Sequence, residues 1–184
     1  MNSFQNPVAA LCVGNDSAYK RLAGVEAFDL NRDCRTFAGG MPIVAHPPCK
    51  HWSAFCRHQA APSRAEAELG LICAAWLIEC GGVLEQPAYS HLFATAGLPK
   101  PGCSSGELFT ISLWQAWFDC PVRKATWLCF CRVKRERIIM PFALHAGGGD
   151  RRCWTLMSRV QRSATTPAFA AWLVSLARTV EAPL

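Results

Sequence analysis

The fifteen residues "VAHPPCKHWSAFCRH", positions 44–58, hold two cysteines, three histidines and two adjacent prolines. Those types support two chemistries. Cysteine and neutral histidine are zinc ligands, and a thiolate is a strong nucleophile. The metal reading would use His46, Cys49, His51, Cys56 and His58, but their spacing matches no common finger or ribbon, and no paired Cys-x-x-Cys is present. Cys129 and Cys131 share one face of a predicted strand with Phe130 between them, which is no better a metal pattern. The nucleophile reading needs Cys49 alone. Pro47 and Pro48 fix the backbone before it and keep it out of helix, which suits a thiol that must be held in one place. Lys50, His46 and His51 are the cations near enough in sequence to favour its thiolate. A second reactive type, Glu85, stands in "VLEQP", also just before a proline.

The elements that must carry these groups follow from apolar patterning. "VAALCV", Val8 to Val13, reads as a buried strand closed by Gly14. "GVEAFDL", 24–30, reads as a second strand delivering Asp29, and "MPIVAH", 41–46, as a third, stopped by the prolines. Ser63 with Glu66 has capping-box spacing, and Ala65, Leu69, Ile72, Cys73, Trp76 and Leu77 recur at helical intervals up to Gly81 and Gly82. A strand ending at Glu85 follows, so strand, crossover helix and strand predict parallel neighbours in an α/β sheet. Residues 109–117 and 126–133 suggest a hairpin around "DCPVRK". Pro167 after Thr165 and Thr166 starts a last helix to about Arg178, expected to pack on the sheet.

The 184 residues suit one domain, 1–184, and 51% hydrophobic against 17% charged residues excludes a disordered chain. Eleven cysteines, an odd and scattered set, do not read as a disulfide framework. The start, "MNSFQNPVAALCVG", lacks a basic leader and a long apolar stretch, so the expectation is reduced thiols in a cytoplasmic protein. "LICAAWLIEC" is too short for a membrane span and contains Glu79. The net charge of +6 suits a phosphate-bearing partner. Its basic stretch runs from Arg132 through "RVKRER" to 162, with Gly147 to Gly149, Arg151, Arg152, Arg159 and Arg162. Among seven tryptophans, Trp52, Trp114, Trp117 and Trp127 flank the reactive segments, where some could stack on a base while most fill the core. Tyr89 and His91 follow the Glu85 strand and are expected to line the same crevice.

These segments carry a family resemblance. "AHPPCKHWS" resembles the Pro-Cys motif of C5-cytosine DNA methyltransferases, above all that of small phage and prophage methylase-like proteins. "VLEQP" is similar to their Glu-Asn motif, with Gln86 in place of Asn, and "QAWFDCPVRKATWL" to their later block. The three blocks, in order, cover about residues 40–130. The resemblance implies a single α/β domain of Rossmann type with a mostly parallel sheet and a C-terminal helix. It implies DNA as partner and S-adenosylmethionine as cofactor; zinc is not expected, on the spacing above. Cys49 would attack C6 of a flipped cytosine and Glu85 would hold and protonate the ring nitrogen, with Lys124 as a third catalytic group. The substrate would meet Pro48, Ser53, Gln86, Pro87, Gln115, Arg123 and Thr126, with Arg123 and Lys124 on the nucleotide or its phosphates. The cofactor would meet Gly14, Asp29, Asp33 and Pro47, although a single Gly14 stands where the family has a glycine-rich turn. A related phage pyrimidine- or DNA-modifying enzyme with another donor, and a non-catalytic DNA-binding relative, are the alternatives, with a zinc-binding module behind them.

Overall fold

The computed structural model describes residues 6–54, 64–140, 158 and 164–181. Four short strands open the sheet: β1 (Val8–Leu11), β2 (Val25–Ala27), β3 (Ile43–Ala45) and, after helix α1 (Arg64–Cys80), β4 (Gly82–Pro87). A one-turn helix α2 (Leu92–Thr95) precedes β5 (Ser104–Ser105), β6 (Leu108–Trp114) and β7 (Ala125–Cys131), and α3 (Pro167–Ala177) ends the described chain. The strand order is β2-β1-β3-β4-β7-β6-β5. β2, β1, β3 and β4 are mutually parallel, while β7, β6 and β5 join antiparallel to their neighbours. The expected mostly parallel sheet is therefore a mixed one, parallel only in its first half. The antiparallel half arises because β6 and β7 are joined by a short connection, which can return the chain only beside itself.

Strands with both faces covered read as unbroken apolar runs, and β1 and β3 are buried at every position. Alternation then sorts their side chains. Val8, Ala10, Val44, Val83 and Phe130 face α3 through Phe169, Leu173 and Val174. Ala9, Leu11, Ile43, Ala45, Leu84 and Cys129 face α1 through Cys73, Ala74 and Leu77. α3 begins as expected: Thr166 Oγ1 accepts the Phe169 N–H at 3.3 Å, and Pro167 takes the first turn. Thr166 also donates to the Phe118 carbonyl at 2.6 Å, tying the helix to the β6–β7 connection.

The expected strands shorten at their ends. β1 stops at Leu11 because Cys12 takes a left-handed backbone with φ 58°. Residues 115–117 are not strand: Gln115–Phe118 form a 3-10 turn closed by Asp119 at φ 62°. Gly82, at φ 120°, lies so close to Ile43 that an added Cβ would stand 2.0 Å from the Ile43 carbonyl oxygen, so only glycine admits this β3–β4 approach. Ser63, Cys56, His58 and most of the basic stretch beyond Met140 lie outside the described residues. Among the described residues no helix is long and apolar enough to cross a membrane.

Candidate functional site

β1 has β2 on one side and β3 on the other, so the order reverses at that pair. In open α/β sheets ligands bind beyond the carboxyl ends of the strands at such a point. The loop after β3 carries Pro47, Pro48 and Cys49 to this end, and β4 brings Glu85, Gln86 and Pro87 beside it. β7 starts here and β6 ends here, since Pro87 pairs with Thr126 and Trp114 with Ala125.

Cys49 is exposed, while Pro47 is buried and Pro48 half-buried. The Cys49 carbonyl accepts the N–H groups of Trp52 at 3.0 Å and Ser53 at 2.7 Å, folding the loop into a tight turn. Gln86 Nε2 donates to the Pro47 carbonyl at 2.6 Å, and Ser90 Oγ donates to Gln86 Oε1 at 3.1 Å. The His91 N–H donates to the Trp52 carbonyl at 2.8 Å. The thiol loop is thus fastened to the end of β4 on both sides of Cys49, with Gln86 acting as a clamp.

Glu85 is buried, and its carboxylate is met by four polar side chains. His46 Nδ1 lies 3.1 Å from Oε2, and Gln115 Nε2 donates to Oε1 at 2.9 Å. Thr126 Oγ1 stands 3.4 Å and Lys124 Nζ 4.0 Å from Oε1. Burial pushes the Glu85 carboxyl up, but the Lys124 charge, the His46 contact and the Thr126 hydroxyl outweigh it and hold the group at about 2. The ionised carboxylate only accepts, so His46 Nδ1 donates to it. In the neutral ring Nε2 then accepts the Tyr19 hydroxyl, 2.7 Å away. Tyr19 keeps its proton because burial, then Glu85, raise it well above the ordinary phenol. Tyr19 was not foreseen as part of this site; its sequence neighbours Asn15, Asp16, Ser17, Lys20 and Arg21 are polar and give no sign of its burial.

Both ring nitrogens of His46 have partners, Tyr19 and Glu85. His51 is half-buried with its ring edge-on to Trp52 at 4.7 Å. Arg123 is exposed on the β6–β7 connection, beside Lys124. Ser53 is buried in the Cys49 turn. Tyr89 is 65% exposed at φ 65° and packs on Trp127 at a centroid distance of 5.3 Å, an aromatic pair at the same sheet end. Trp52 is core, as the seam with α1 requires, whereas Trp114 is exposed.

The expected cofactor residues are less united. Gly14 follows β1 at the switch point, and a Cβ there would meet nothing within 4 Å, so the turn leaves room but forms no close cradle. Asp29 accepts the N–H groups of Asn31 and Arg32 at 2.8 and 3.0 Å and pairs with Lys20. Those contacts, the Lys20 bond first, hold its carboxyl down at about 2. Asp33 caps a 3-10 turn, accepting the Arg35 N–H at 2.9 Å and pairing with the Arg35 guanidinium at 2.8 Å. Both acids therefore do turn work. No family model, no curated protein and no solved structure matches this chain.

Proposed function

We propose that the protein is a compact DNA cytosine-5 methyltransferase-like enzyme of Rossmann type, phage or prophage encoded and working in the host cytoplasm. One observation carries the reading. His46 from the first sequence block, Glu85 from the second, and Gln115, Lys124 and Thr126 from the third converge on a single buried carboxylate, beside the loop that presents Cys49. A core-filling role would not need four polar groups around one acid at the open end of a sheet.

The chain's own groups divide the work. The Cys49 thiolate adds to C6 of the cytosine, forming a C–S bond as the C5–C6 π pair moves toward C5 and the ring nitrogen. Glu85 faces that nitrogen. In the resting site Lys124 keeps it ionised. Drawn away by an incoming phosphate, Lys124 would leave burial as the dominant influence, and the carboxyl could then share a proton with the base. Gln115 and Thr126 fix its orientation. With a methyl group in place at C5, loss of the C5 proton to solvent restores the C5–C6 double bond and expels the Cys49 thiolate, which takes the C–S bond pair. Tyr89 on Trp127 offers a stacking face for the extruded base. Gly14 and Pro47 would hold S-adenosylmethionine, which would supply that methyl group and leave as the neutral thioether.

Transfer of labelled methyl from S-adenosylmethionine to cytosine-containing DNA tests this reading, with Cys49→Ala expected to abolish incorporation. The commitment of Asp29 to Lys20 favours a second reading, a pyrimidine-modifying enzyme of the same architecture with another donor. Cys49-dependent attack on the base without methyl incorporation would select it, and no Cys49-dependent chemistry would leave a DNA-binding relative.

A further inference from the structure

Three cysteines far apart in sequence meet on the α1 face of the sheet. Cys12 closes β1, Cys34 opens the 3-10 turn Cys34–Thr36 and Cys73 lies in the middle of α1. Their sulfurs all lie within 4.8 Å of one another. Cys12 Sγ stands 3.1 Å from Cys34 Sγ and 3.7 Å from Cys73 Sγ. Two thiolates bound to one tetrahedral zinc at about 2.3 Å lie about 3.8 Å apart. The Cys12–Cys73 separation is close to the one that a shared thiophilic cation imposes, and Cys12 and Cys34 would have to part by under about 1 Å to match it.

Three features set this cluster apart from core filler. Cys12 holds a left-handed backbone that a non-glycine residue adopts only at a cost of order 1 kcal/mol. That conformation stands where the strand gives way to the cluster. Cys12 Sγ is in hydrogen-bond contact with both Cys34 Sγ and Cys73 Sγ, so the three sulfurs meet one another rather than filling separate apolar pockets. Cys34 and Cys73 are buried beside Phe28, Phe37 and Trp76, while half-buried Cys12 leaves one approach to the surface. A soft site with apolar walls and one open side results.

We propose that Cys12, Cys34 and Cys73 form a zinc site that ties β1, the Cys34 turn and α1 together, its fourth position taken by water or another donor. Binding makes three Zn–S bonds and releases the protons of the thiols still protonated, so affinity falls as pH falls. The site is distinct from the Cys49 loop and stands whether or not the enzymatic reading does.

The test uses the reduced full-length chain, Zn²⁺ with a competing chromophoric chelator, and Co²⁺ as a spectroscopic stand-in. The expected result is about one Zn²⁺ per chain and intense thiolate-to-cobalt charge transfer. Cys12→Ser and Cys34→Ser should each weaken Zn²⁺ binding at least about tenfold, and Cys103→Ser, an exposed cysteine outside the triad, should leave it unchanged. Circular dichroism of each apo variant separates ligand loss from unfolding. Cobalt spectra without thiolate bands, Zn²⁺ affinity in both triad variants equal to that of the unaltered chain, or a Cys12–Cys34 disulfide that persists in the purified chain under mild reductant would each overturn the proposal.

Discussion

At the scale of single residues, Glu85 and Lys124 carry the electrostatics of the candidate site. Burial alone would raise the Glu85 carboxyl, and Lys124 is the largest influence against it. Lys124→Gln should therefore move the Glu85 titration upward, read by carboxyl carbon NMR; an unchanged titration would mean that Lys124 does not act on the acid. The folded-state value of about 2 lies below the ordinary 4.5, so the stability that Glu85 contributes is present in full above about 4.5 and is lost as pH falls toward 2. Glu85→Gln should flatten that acid limb. It should also cost on the order of 2 kcal/mol at neutral pH through loss of charged hydrogen bonds, measured by urea unfolding at several pH values. Cys49 and Glu85 were legible in the sequence because Pro-Pro-Cys and Glu-Gln-Pro are local patterns. The Tyr19–His46–Glu85 chain was not, since its members are brought together only by the sheet.

Among the elements, the helix α1 and the loop after β3 meet at one glycine. A Cβ on Gly70 would lie 2.4 Å from Trp52 Nε1, and the Trp52 backbone N–H donates to the Cys49 carbonyl. Gly70→Ala gains helix propensity of about 1 kcal/mol, yet it must displace the indole that seats the thiol turn. The expected outcome is a folded protein whose Cys49-dependent reaction slows about tenfold or more, followed by adduct formation rate beside a thermal melt. An unchanged rate would separate the turn from the helix. β1, β3, α1 and α3 were readable from apolar runs, from the helical spacing of Leu69, Cys73, Trp76 and Leu77, and from the Thr166-Pro167 start. The end of β6 was misplaced because Gln115 continues an alternating pattern while its side chain turns to Glu85. The cysteine triad left no spacing signal, because its members come from three separate elements.

For the molecule as a whole, a parallel half-sheet and an antiparallel half share one end, and that end collects every group the resemblance named for the base. The net charge of +6 predicts that DNA affinity falls steeply with salt, roughly one power of salt concentration per phosphate contacted; fluorescence anisotropy over a salt series checks it, and a flat response would exclude DNA as partner. The mixed sheet was the part least visible beforehand, since parallel pairing was argued from one crossover and the hairpin was not joined to it. The most direct measurement is denaturing electrophoresis of the protein incubated with S-adenosylmethionine and DNA carrying 5-fluorocytosine, where fluorine at C5 blocks the step that frees the enzyme. The account predicts a covalent protein–DNA band that Cys49→Ala abolishes. No band with the unaltered protein, or a band that survives Cys49→Ala, would contradict it.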